Sequence, residues 1–281
     1  MKLKVKHKLS YTYAEAVTLT PHYIYLTPKV SPFQDLIYHR LVVTPKPDLL
    51  VKNLDAEGNI QHIVYINEPC DKFEIESEII IDSQHFNPFD FVYFPFAAQN
   101  LPFSYLEDEK LLLKPYLDEE GITTLIHQTA RKLASEVNWN TAKFLQNICK
   151  YIRTNMSYEV RADGSAFEPH KTFTEQHGSC RDFAVLMIAF CKSMGIAARF
   201  VSGYCYGSER QAHELRAWVE VYLPCGGWRG FDPTEGHSVN ENYIALARSA
   251  QADLINPVKG TYKSKTPVSS ELKAHVDIFE A

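Results

Sequence analysis

Gly178-Ser179-Cys180-Arg181-Asp182-Phe183-Ala184, continued by Val185-Leu186-Met187-Ile188-Ala189-Phe190-Cys191, is the stretch that decides the fold of this chain. From Phe183 onward, apolar side chains cover most of a helical circumference. Such a helix sits at the centre of a domain, packed on a sheet and on other helices. Its expected span is 180–194, since Gly195 suits the left-handed position that ends a helix. Cys180 falls in the first turn, where unpaired backbone N–H groups and the helix dipole favour a thiolate. The small Gly178-Ser179 leaves room for a ligand to approach. Asp182 complements the dipole in the same turn, and as a nearby negative charge it opposes thiolate formation.

Toward the C-terminus, three strands are expected: 198–204, 215–223 and 228–232. The Pro224-Cys225-Gly226-Gly227 turn closes the last two into a hairpin. Toward the N-terminus, two helical patterns precede the cysteine. One covers 122–137, with Leu125, Ala130, Leu133 and Val137 inward. The other starts at the cap candidates Asn140 and Thr141, with Phe144, Leu145, Ile148 and Ile152 inward. Residues 157–176 are polar and show little periodicity. Helices followed by a run of strands predict an α+β domain with an antiparallel sheet.

Residues 1–115 alternate instead with the period of strands, as in Leu3-Val5-His7-Leu9-Tyr11, Tyr23-Tyr25 and Leu41-Val43. Prolines 28, 32, 45 and 47 punctuate them. Asp55-Ala56-Glu57-Gly58-Asn59 reads as a hairpin turn with Gly58 or Asn59 at positive φ. The expected organisation is therefore a β-sandwich-like domain at 1–116 and an α+β core at 117–281. The stretch beyond about residue 250 reads as a loose tail.

Composition narrows the function. A net charge of −5 without a basic cluster argues against nucleic acid as a partner. No stretch approaches the roughly 20 apolar residues that cross a bilayer. No apolar run follows Met1-Lys2-Leu3-Lys4, so no signal peptide is expected, and the location expected is cytoplasmic. Six scattered cysteines with no C-x-x-C pair suggest reduced thiols, although an even count permits bridges. Neither metal-ligand spacing nor a calcium loop is visible, so no cofactor or metal is expected. Oligomeric state is not legible.

Cysteine, histidine, aspartate is the chain order of a papain-like nucleophilic site, and Cys180, His213 and Asp232 supply it. Asp232, at a strand end before Pro233, reads either as a turn residue or as the acid that orients an imidazole. Trp218 and Trp228 read as strand core residues, with Trp218 also a candidate for the substrate cleft beside Arg216.

Four ordered segments carry a family resemblance: the Gly178 to Ala184 run, Gly195 to Tyr204, Ala217 to Pro224 and Gly227 to Thr234. Together they resemble the transglutaminase-like core of bacterial proteins, a group labelled cysteine proteases. His7-Lys8-Leu9-Ser10-Tyr11 and the 55–59 turn resemble the β-rich N-terminal domain that precedes that core. The resemblance implies a papain-like α+β fold with Cys180 as nucleophile and Asp232 as orienting acid. The family's histidine stands immediately before Ala-Trp, and here that position is Arg216. A guanidinium stays protonated at working pH, so it cannot take a thiol proton, though its charge can hold a thiolate. His213 is the nearest substitute. Its odd offset of three puts it on the opposite strand face unless a bulge or a preceding loop displaces it. His177 and His237 are remoter substitutes.

Two functions follow. One is acyl transfer on peptide or side-chain amides. Cys180 attacks, backbone N–H groups hold the oxyanion, and His213 with Asp232 handles protons, with water or an amine as acceptor. The other is a catalytically impaired member that binds a peptide or protein segment, with Arg216 as a carboxylate contact or a structural ion-pair partner.

Overall fold

The computed structural model describes residues 1–161, 164–208 and 214–281. The first half is built from strands: β1 (Lys2–Leu19), β2 (His22–Ile24), β3 (Gln34–Thr44), β4 (Leu49–Leu54), β5 (Ile60–Tyr65) and β6 (Cys70–Ser83). Period-2 alternation forms β1: Leu3, Val5, His7 and Leu9 are buried while Lys6 and Lys8 are exposed. β1 pairs antiparallel with β6, and β6 with β3, making one sheet. β2, β5 and β4 are neighbours in a second.

Gly58 takes the positive φ of the turn between β4 and β5, at +73°. The Asp55 carboxylate accepts from the Glu57 and Asn59 N–H groups at 2.9 and 2.8 Å. That hairpin turn is also a docking point. The Asn59 side chain donates to the Arg248 carbonyl at 2.8 Å and accepts from its N–H at 2.9 Å.

Helices follow: α1 (Glu107–Leu113), α2 (Thr124–Glu136) and α3 (Thr141–Asn155). Asn140 caps α3, its side chain accepting from the Lys143 N–H at 3.0 Å. Phe144, Leu145, Ile148 and Ile152 are buried as the periodicity predicts. In α2 the expectation fails at one position. Leu125 is 43% exposed, and the stripe facing the core is Ile126, Ala130 and Leu133-Ala134. The two phases differ by a single residue, and only contact with the neighbouring helices selects one.

The polar stretch before the cysteine contains β7 (Ser157–Tyr158), α4 (Pro169–Glu175) and β8 (His177–Gly178), with β7 and β8 pairing in parallel. Next comes α5 (Cys180–Lys192), shorter than 180–194, with Gly195 at φ +73° in the turn beyond it. β9 (Ala198–Cys205), β10 (Arg216–Leu223), β11 (Gly227–Asp232), β12 (His237–Ser238) and β13 (Tyr243–Ser249) complete an antiparallel sheet ordered β12-β11-β10-β9-β13. Phe183, Leu186, Met187 and Phe190 of α5 share one buried cluster with Phe200, Ala217, Val219, Val221 and Phe231 of that sheet.

The expected loose tail is instead structured. β14 (Val258–Lys259) joins β2, β15 (Tyr262–Lys263) joins the end of β1, and β16 (Ser270–Glu280) runs antiparallel to Leu3–Tyr13. Val276 is fully buried, and Leu272 and Ile278 pack against the same core. A partner almost 270 residues away in sequence leaves no local trace. Tyr204, Ile244 and Leu246 of the second half also enter this core beside Leu3, Val5 and Ile75. Among the described residues no helix is long and apolar enough to cross a membrane.

Candidate functional site

Ser179 and Asp182 set the start of α5. Asp182 is fully buried and its carboxylate accepts from the Ser179 N–H at 2.6 Å and the Ser179 hydroxyl at 2.7 Å. Its other oxygen accepts from the Phe167 N–H at 2.6 Å and from Arg161 at 2.8 Å. Arg181 donates to the carbonyls of Gly164 and Arg161 at 2.6 and 2.7 Å. Asp182 thus does more than complement a dipole: it fixes the cap and pins the preceding segment across it. The residue type signalled the capping role, whereas the long-range partners carry no local signal.

Cys180, the first helical residue, is 4% exposed. Burial pushes its thiol above the ordinary range. The Arg216 charge, the Ala217 N–H and Arg181 pull the other way, and Asp232 adds to the rise. The helix start was expected to favour a thiolate; desolvation outweighs it here.

Arg216 begins β10 and is 1% exposed. Its Nε donates to Asp232 Oδ2 at 2.9 Å, Nη1 to the Ser208 hydroxyl at 2.8 Å and Nη2 to Glu235 Oε1 at 2.7 Å. The Ser208 hydroxyl in turn donates to Glu235 at 2.8 Å. Burial is the largest influence and lowers the guanidinium's pKa, but Asp232 together with the other groups around it outweighs burial and keeps the group charged. Glu235 is held below the usual carboxylate range: burial raises it most, and Arg216 with the Ser208 hydroxyl together outweigh burial.

Asp232 is fully buried at the end of β11. Besides Arg216, its Oδ2 accepts from the Tyr243 hydroxyl at 3.0 Å, and Oδ1 accepts from the N–H groups of Thr234 at 2.8 Å and Glu235 at 3.2 Å. The carboxylate that would orient an imidazole is fully engaged, with a guanidinium as its charged partner. Ser208, Glu235 and Tyr243 are the site residues that sequence reasoning missed. Glu235 lies in a turn three residues past Asp232, and its acidic type beside an unexpected arginine was the available signal.

The structure therefore brings Cys180, Arg216 and Asp232 together. His213 lies outside the described residues. Trp218 is 1% exposed and packs edge-on against Tyr243, with ring centroids 5.3 Å apart, in a cluster with Val201 and Ala245. It is a core residue rather than a wall of the cleft. His177 sits between Glu159 and Glu175, and His237 stands against Tyr243.

A cavity of about 720 Å³ opens over this group. Cys180, Arg216 and Ser202 line one side, and His7, Tyr11 and Lys273 of the first sheet line another. His7 is bound through Nδ1 to the Tyr204 hydroxyl at 2.9 Å. Burial, aided by His275, lowers its pKa to about 4, so it is neutral at pH 7.

Residues 127–233 match the transglutaminase-like superfamily, and residues 3–82 match the bacterial transglutaminase-like N-terminal region. An uncharacterized protein of Mycobacterium tuberculosis is 26% identical over 295 positions, spanning 99% of this chain and 92% of that protein. One from Mycobacterium leprae is 22% identical over 281 positions, 94% of each. Among solved structures, a "Putative Cysteine Protease" from Cytophaga hutchinsonii superposes with a TM-score of 0.75 at 20% identity, covering 99% of this chain and 90% of that one. That likeness extends the shared fold across both halves of the chain.

Proposed function

Because this chain belongs to the transglutaminase-like superfamily, we propose that its cleft binds a peptide or protein segment while Cys180 rests as a neutral thiol. The observation that carries this reading is the Arg216–Asp232 pair at 2.9 Å. Proton transfer in a thiol acyl-transfer site needs a group that gains and loses a proton near working pH. Arg216 does neither, and it occupies the carboxylate that would orient a histidine. With its pKa raised by burial, Cys180 is a weak nucleophile at neutral pH. What remains is a concave site between two sheets with polar groups on opposing sides, a shape suited to an extended segment.

The acyl-transfer reading keeps one observation in its favour. Cys180 lines the cavity at a helix start, with the Ala217 N–H directed at its sulfur. Protease, amidase and cross-linking chemistry all belong to that reading, with His213 as base.

Screening a peptide library for binding, alongside amine incorporation and hydrolysis assays, separates the two. Binding that survives Cys180→Ala with no turnover is the expected result. Turnover abolished by Cys180→Ala and by His213→Ala would establish the enzyme instead.

A further inference from the structure

The last strand of the chain turns an outer edge toward the cleft. β16 runs antiparallel to β1 in one unbroken register, from Leu3 opposite Glu280 to Tyr13 opposite Ser270. In such a ladder, opposed residues alternate between exchanging both backbone bonds and exchanging none. Just past its two ends, the Ala14 N–H donates to the Ser269 carbonyl at 3.1 Å and the Ala281 N–H to the Lys2 carbonyl at 3.0 Å. Even-numbered residues of β1 therefore bond to odd-numbered residues of β16. The other flank of β1 agrees: the Ser83 N–H donates to the Met1 carbonyl at 2.8 Å, so odd-numbered residues of β1 serve β6. Lys273 thus bonds to β1, while the N–H and C=O of Leu272 and Ala274 point away from it. Among the described residues no strand pairs with that outer edge.

Leu272, Lys273 and Ala274 all line the cavity that holds Cys180. A strand seen face-on shows alternate residues, so three in succession mean that the backbone edge meets the space. The apolar lining beside it comes from Leu9, Tyr11 and Leu272 of the first sheet, with Phe200, Ile255 and Val258. Tyr11, Leu272 and Val258 pack against the same core as Leu9, which marks the inner face of the edge. Resting on the peptide-binding reading above, we propose that an extended peptide enters the cleft as an added antiparallel strand on β16, exchanging backbone bonds with Leu272 and Ala274. Directly opposed residues of paired strands share a face. The peptide residues opposite Leu272 and Ala274 direct their side chains over the apolar lining. The residue between them faces water with Lys273, whose side chain is 75% exposed. The ligand class is an extended segment, apolar at alternate positions and held mainly through its main chain.

Fluorescence anisotropy tests this with the full chain and a library of fluorescein-labelled heptapeptide amides, carrying Val, Leu or Tyr at alternate positions and Ser or Thr between. The tightest member is then N-methylated one residue at a time. Methylation at the two residues that exchange with Leu272 and Ala274 is expected to weaken binding at least about tenfold, and at the residue between them less than about twofold. In the protein, Ala274→Pro removes an outward N–H that β1 does not use, and edge strands accept proline in that orientation. That variant should keep its melting curve and lose at least about tenfold in affinity. If it fails to fold, the N-methyl series on the unaltered chain decides alone. Binding indifferent to both changes would overturn strand addition and leave the peptide-binding reading in place, whereas no binding by any member would remove that reading as well. A dimer in sedimentation velocity that Ala274→Pro dissolves would place a second copy of the chain on the edge instead.

Discussion

Arg216 Nε donates to Asp232 Oδ2 at 2.9 Å, with both side chains buried, and on the proposed reading that bond stands where a working thiol site would have its imidazole–carboxylate contact. A buried ion pair contributes little net stability, but breaking it leaves a charge stranded without water. Arg216→Ala is therefore expected to destabilise the fold by about 3–5 kcal/mol in urea denaturation, with Glu235 also losing its partner. A loss below about 1 kcal/mol would place the pair in solvent-like surroundings instead.

The pH dependence of Cys180 follows from its environment. Its pKa is raised in the folded state, chiefly by burial, so the protonated form dominates at neutral pH and the thiolate appears only under alkaline conditions. The rate of iodoacetamide labelling at Cys180, followed by peptide mass spectrometry, should stay low through pH 8 and climb above it. Arg216→His restores a titratable partner beside Asp232 and should bring the rise toward neutrality. A fast, flat rate at pH 6 in the unaltered chain would contradict the dormant-thiol reading.

Gly203 in β9 is required by packing. A Cβ there would stand 2.1 Å from the Ile244 carbonyl oxygen and 2.5 Å from the Trp218 ring. Gly203→Ala should cost at least about 3 kcal/mol, since backbone on one side and a buried indole on the other cannot both move away. A melting curve unchanged from that of the unaltered chain would count against the close β9–β13 packing.

His7 couples the first sheet to β9 through Tyr204, and it makes stability depend on acid. Its folded pKa lies near 4, below the unfolded value of 6.5, so the unfolded chain binds the proton more tightly. Stability should begin to fall as pH drops below about 6.5 and should lose on the order of 3 kcal/mol by pH 4. His62, with the same direction and value, adds to the slope. His7→Phe should make the acid limb shallower in pH-dependent urea midpoints. An unchanged limb would exclude His7 as a contributor.

Much of the second half was readable because its signals are local. The wrap of apolar residues from Phe183 to Cys191, the cap at Asn140 and the hairpin turn after Leu223 act within one or two turns of chain. Each appears at or close to its expected place. The phase of α2 was misread because Leu125 and Ile126 are equally apolar, and neighbouring helices alone distinguish them. The C-terminal strand was missed because Leu272, Val276 and Ile278 are apolar positions in a polar run whose partner is the first strand of the chain.

By itself, then, the sequence determined that Cys180 opens a central helix, that Asp232 ends a strand of the sheet beneath it, and that a permanently charged arginine stands directly before Ala217-Trp218. Those features depend on spacing, turn chemistry and residue type, which are local. Only the tertiary structure decided what the arginine does. Its charge is balanced by Asp232 and Glu235, 16 and 19 residues along the chain, and steadied by Ser208. Burial then tips Cys180 toward the neutral thiol. Desolvation and pairing are properties of the assembled interior, where each group's charge depends on what surrounds it in space rather than along the chain.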